Sequence, residues 1–177
     1  MLRIVSLLLL LGLTTTDEKL RTNSGQITFE ASVPAFEEVT ATSKSGNCVL
    51  HTKTGDITTE VKMTTFKFRL ALMEEHFNKN YVESHRYPKA YFKGRINDFN
   101  FFKLSPIAKS FTIQGKMELH GETKDVTMQA QIRKVDNGVE IKSSFILNTD
   151  DFNIDIPAVI KTKVSKQVNV RSVFTVK

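Results

Sequence analysis

The chain has 177 residues, a formal charge of +6 and a pI near 9.4, which fits one domain with a sizeable core or a closed barrel. Its basic residues are scattered along alternating segments and form no long like-charged run, which excludes a nucleic-acid-binding tail. A single cysteine, Cys48, excludes an intrachain disulfide, so the domain must fold by packing alone.

Met1-Leu2-Arg3, the apolar run Ile4–Leu13 and the polar exit Thr14-Thr15-Thr16-Asp17 follow the order of a secretory leader. The run is too short for a stable membrane anchor. Residues 1–18 are therefore expected to be a signal peptide, with cleavage between Leu13 and Lys19, and residues 19–177 the mature domain. Localisation follows as periplasmic or secreted.

Period-two alternation governs the rest of the chain, as in strands with one buried face. Ile27, Phe29, Ala31 and Val33 share one face until Pro34 stops the first strand. Phe36 and Val39, three apart, predict a short helix over 35–42. A second strand runs over 46–53, and Gly55-Asp56 turns the chain into a long third strand over 57–70. Its apolar parity shifts at Thr64-Thr65, which predicts a β-bulge. Leu70, Met73 and Phe77 are helically spaced, predicting a helix over 71–80.

Tyr87-Pro88 imposes extended geometry before a fourth strand carrying Ala90, Phe92, Gly94 and Ile96. Residues 97–109 form an apolar loop with Phe99, Phe101 and Phe102. This loop reads either as a satellite core over one barrel end or as a greasy portal touching membrane, with Lys103 and Lys109 beside it. Four further strands alternate through Phe111–Leu119, Val126–Ile132, Val139–Leu147 and Val168–Val176. His120-Gly121 and Asp136-Asn137-Gly138 supply hairpin turns. A longer connection spans 148–165. Eight antiparallel strands can close into a barrel, although a two-sheet sandwich gives similar alternation.

Chemistry-bearing motifs are scarce. His51, His76, His85 and His120 lack metal-site spacing, and His120 reads as a turn residue whose ring bonds nearby backbone. Asp150 and Asp151 point opposite ways on an extended segment and read as a turn or helix cap rather than a proton-sharing pair. Cys48 sits in strand context as a small buried hydrophobe. Thirteen Phe against three Tyr and no Trp favour dry surroundings, since Phe carries no polar tip. No enzyme, cofactor or metal is expected.

Four stretches resemble the YceI family, the bacterial polyisoprenoid-binding proteins. They are Glu75-His76-Phe77 with Tyr81-Val82-Glu83-Ser84; Tyr87-Pro88 followed by Phe92; the hairpin from Gly115 through Met117 and Leu119 to His120-Gly121-Glu122-Thr123-Lys124; and Phe145 through Asp151-Phe152-Asn153-Ile154. The resemblance implies an all-β fold, an eight-stranded antiparallel lipocalin-like β-barrel with one or two short helices. It further implies an exported carrier that shelters a polyprenol or an isoprenoid quinone tail in an apolar channel. The expected wall is Phe29, Val61, Met63, Phe66, Phe68, Phe92, Ile96, Phe111, Ile113, Met117, Met128, Phe145 and Leu147. The expected partners are that lipid and, transiently, a membrane surface. The competing reading is a filled barrel acting as a scaffolding or adhesion module. Periodicity identifies the apolar face and leaves open whether the middle is hollow.

Overall fold

The computed structural model describes residues 18–177. The expected leader over 1–18 lies, apart from Glu18, outside the described residues. Nine strands follow in order: β1 (Lys19–Ser32), β2 (Thr40–His51), β3 (Asp56–Lys62), β4 (Lys67–Phe68), β5 (Lys89–Ile96), β6 (Lys109–Leu119), β7 (Glu122–Val135), β8 (Gly138–Asn148) and β9 (Val164–Val176). One short helix, α1 (Ala71–His76), lies between β4 and β5 and continues into a π-turn over Phe77–Tyr81.

All pairings are antiparallel. They run β1-β2-β3-β5-β6-β7-β8-β9, and β9 returns to β1 with Phe29 opposite Val170. Eight strands thus close a barrel, as expected, and the sandwich alternative is overturned. The alternation read from sequence sets the inward face. Ile113 on β6, Met128, Ala130 and Ile132 on β7, Ile141 on β8 and Val170, Phe174 and Val176 on β9 are all buried.

Two hairpins show how local chemistry fixes register. His120 and Gly121 both take positive φ, 52° and 79°, as a two-residue type I′ turn requires, and Leu119 pairs with Glu122 across it. The His120 ring bonds the Phe152 carbonyl through Nδ1 at 2.9 Å and meets the Glu83 carboxylate through Nε2 at 3.0 Å. The ring does bond backbone, as expected from sequence, but to a carbonyl 32 residues along the chain rather than a neighbouring one. Farther along, Gly94 and Gly115 face each other between β5 and β6. A Cβ on Gly115 would stand 2.3 Å from the Lys93 carbonyl oxygen, so only glycine permits that approach.

Three local expectations are corrected. The helix over 35–42 does not form. Ala31 N–H donates to the Val39 carbonyl and Val39 N–H donates to Ser32 Oγ, so β1 and β2 simply continue toward a tight connection. The long third strand is cut in two by a 3₁₀ turn over Met63–Thr65, which takes the place of the expected bulge. β4 then resumes on β2, with Ala41 opposite Phe68. For the helix, long-range pairing overrides local spacing, because Thr40–Thr42 gain more from the ladder with β1 than from a weak helix preference.

The interior divides into two regions. At one end Leu20, Cys48, Leu50, Ile96, Ile132, Val139, Ile141 and Val176 pack into a solid plug. Cys48 is 1% exposed, and burial pushes its thiol up to about 12, so it stays protonated and inert at neutral pH. Leu104, Phe99 and Phe101 seal this plug from below, which makes the loop over 97–108 a satellite core. The loop packs at the plug end rather than at the opening described next, which favours the satellite-core reading over the portal. Phe102 and Ile107 project from the loop, 94% and 77% exposed.

At the other end the barrel is incomplete. β7 pairs with β8 only from Gln129–Ser144 onward to Val135–Gly138. The upper halves of the two strands separate, and a 3₁₀ turn over Thr149–Phe152 packs near the gap. Asn148 caps that turn by accepting from Asp150 N–H, and Lys166 holds the Asp150 carboxylate. Of the two expectations for Thr149-Asp150-Asp151, the turn forms, and the cap is Asn148 beside it. Phe152, Ile154 and Ile156 are buried behind it.

Candidate ligand cavity

Above the plug the barrel encloses a cavity of about 540 Å³, within the range of small-molecule sites. Its floor is made by Ile57, Phe92, Ile113, Met128, Ile141 and Phe174, which also belong to the plug. Its walls rise through Phe29, Val61, Phe145 and Val170 to a mouth ringed by Phe36, Met73, Phe77 and Ile160. Polar side chains gather toward the mouth: Glu37, His76, Asn148, Lys163 and Ser165.

One wall is aromatic. The Phe29 ring stacks on Phe77 with centroids 5.3 Å apart and meets Phe66 at 5.2 Å and Phe68 at 5.7 Å. Phe68 and Phe77 approach to 5.1 Å. These tilted and stacked geometries suit ring quadrupoles and tie α1 and its π-turn to the barrel rim. Phe77 thereby holds the segment that crosses part of the mouth. Tyr81, from the same segment, also lines the cavity, and burial pushes its phenol upward.

Of the wall residues expected from sequence, Phe29, Val61, Met63, Phe66, Phe68, Phe92, Ile113, Met117, Met128, Phe145 and Leu147 line this space. Ile96 and Phe111 do not. Ile96 is sealed within the plug, and Phe111 is half-buried against it beside Phe99. Their parity is right, but they lie below the floor. The sequence reading missed Ile57, Ile141, Val168, Val170 and Phe174, all at strand positions of the same parity. It also missed Phe152, Ile154 and Ile156, whose segment carries no alternation.

Residues 15–176 match the YceI-like domain. The chain belongs to the YceI-like family. Solved structures share its fold at low identity. A polyisoprenoid-binding domain from Saccharophagus degradans, implicated in plant cell wall breakdown, is 12% identical, covers 91% of this chain and 98% of its own, and superposes with a TM-score of 0.72. BcnA from Burkholderia cenocepacia is 13% identical, with 84% and 94% covered and a TM-score of 0.68. The Campylobacter jejuni YceI protein is 12% identical, with 82% and 89% covered and a TM-score of 0.61. No curated protein matches the chain by sequence.

Within this YceI-like barrel two carboxyls held low by ion pairs lie outside the cavity. The Arg95 guanidinium, 2.7 Å from Asp56, and the Thr54 hydroxyl hold the Asp56 carboxyl below its usual range. Arg133 does the same for Glu140. Among the described residues no three His, Cys, Asp or Glu side chains converge as a metal site. Among the described lining residues no hydroxyl bonds to a histidine or carboxylate. Ser143 bonds Ser172, and Ser165 bonds the Gln167 carbonyl. Such an interior can enclose an apolar molecule and exclude water.

Proposed function

We propose that this YceI-like protein is an exported carrier that holds the hydrocarbon chain of a polyprenol, an isoprenoid quinone or another long apolar lipid inside its barrel. The observation that carries this reading is the cavity itself, about 540 Å³ of space walled by Phe, Val, Ile, Leu and Met and open at one end. Each buried methylene contributes about 0.8 kcal/mol. Ten of them supply roughly 8 kcal/mol before the costs of association and chain ordering. Family membership supports the same ligand class. The hollow upper barrel weighs against the filled scaffold.

Export is supported by the leader-like order of residues 1–18. The rim suggests where loading occurs. Leu72 on α1 and Val159 beside Ile160 are 61% and 83% exposed, next to lining residues of the mouth. They offer an apolar edge to a membrane surface during transfer.

Mass spectrometry of an organic extract from detergent-free native protein tests the carrier. A co-purifying chain-like lipid near one per protein is the expected result. Repeatedly clean extracts, together with no uptake of added polyprenol, would leave the filled scaffold as the better account.

A further inference from the structure

Ser143 on β8 and Ser172 on β9 stand directly opposite each other and both point into the cavity. Their exposures are 8% and 7%. The surroundings are apolar: Ile141 and Phe174 form the cross-strand pair below them, and Phe145 and Val170 the pair above. The two hydroxyls therefore sit one layer above the floor, far from the polar mouth.

Their hydrogen-bond inventory is incomplete. The hydroxyls bond each other at 2.8 Å and have no other hydrogen-bond partner among the described residues. Two hydroxyls carry two protons, and one mutual bond uses one of them. One O–H is left facing the cavity. Buried donors without acceptors are costly, more so than acceptors with spare lone pairs. Across the barrel, Thr59 on β3 also lines the cavity, and its strand lies halfway around the closed ring from β8.

We infer that the serine pair is a polar subsite at the base of the cavity, built to donate a hydrogen bond to a carbonyl or hydroxyl oxygen on the end of the ligand that enters first. The inference rests on the carrier reading and sharpens it. The ligand is an apolar chain or ring system with an oxygen acceptor at its buried end. A plain hydrocarbon terminus leaves the serine O–H unanswered. The mouth groups are left to meet solvent or a second polar group.

Paired probes test this. Native protein and the S143A/S172A variant are exposed to equal amounts of 2-heptadecanone and heptadecane, then washed, extracted and quantified. The double substitution removes both partners together, so stability is expected to hold or improve. Wild type is expected to enrich the ketone over the hydrocarbon by about fivefold relative to the variant, the ratio one neutral hydrogen bond supplies. The infrared carbonyl band of the bound ketone is expected at lower wavenumber in wild type than in the variant. Equal enrichment and an unshifted band would overturn the subsite and leave the carrier standing. Failure of both probes to bind wild type would instead overturn the carrier, and the subsite with it.

Discussion

Val168→Trp is expected to abolish lipid uptake while leaving the barrel folded. Val168 pairs with Leu147 at the upper wall, and both residues line the cavity. An indole there points into empty space rather than into packed neighbours, so the overpacking strain that normally accompanies small-to-large changes is avoided. Its N–H can turn toward the wetter mouth near Ser165. The ring then occupies the path of the chain, and co-purified or added polyprenol should fall at least tenfold, about 1.4 kcal/mol or more. The thermal midpoint should stay level or rise, because filling a void restores dispersion contacts. The chain contains no tryptophan, so the new indole is its own reporter. Blue-shifted emission that no longer responds to added lipid is the expected signature. Undiminished uptake beside a blue-shifted indole would mean that the lipid binds elsewhere.

Phe152→Ala is expected to cost about 3–5 kcal/mol of stability, the range for deleting a large buried aromatic. Phe152 is 2% exposed and packs with Ala41, Val61, Met63, Phe66, Val82 and Ile154. It also belongs to the segment near the separated upper halves of β7 and β8, and its carbonyl accepts from His120. Removing the ring empties the joint between the 3₁₀ turn and the barrel. Urea denaturation measures the effect, with Asp151→Ala, a change at an exposed neighbour, expected to stay within about 0.5 kcal/mol of wild type. Equal midpoints for the two variants would show that the turn merely rests on the barrel.

The contrast between these two positions shows what the sequence discloses. Val168 sits on a strand whose period of two announces its inward face, even though the sequence reading did not place it in the wall. Phe152 lies in a connection with no period, so its burial emerges only when the strand gap is seen. Ile96 and Phe111 illustrate a second limit. Alternation tells inside from outside but carries no coordinate along the barrel axis. Residues of one parity therefore divide between cavity wall and solid plug according to register, which long-range pairing sets. The helix expected over 35–42 failed for the same reason, since a three-residue apolar spacing is weaker than the ladder between β1 and β2. The aromatic wall was half legible: Phe29, Phe66 and Phe68 follow from strand parity. Phe77 reaches them from a helical segment whose docking position no local pattern specifies.

An opening above a sealed plug also explains why one loop changes its meaning. Phe99, Phe101 and Phe102 form an apolar cluster that suits a membrane portal by composition. In three dimensions two of the rings close the plug, and exposed apolar side chains beside the mouth come from α1 and from the segment around Val159. Composition identifies greasy loops, and the strand register decides which end of the barrel they serve.

The most direct test of the hollow barrel is anomalous diffraction from a crystal loaded with 16-bromohexadecanol, a single apolar chain with a heavy atom at one end. Bromine density inside the barrel, between the level of Phe145 and Val170 and the mouth or the floor, is the expected result. Bromine found only on the outer surface, with the phenyl rings of Phe29, Phe92 and Phe145 filling the barrel interior, would contradict it.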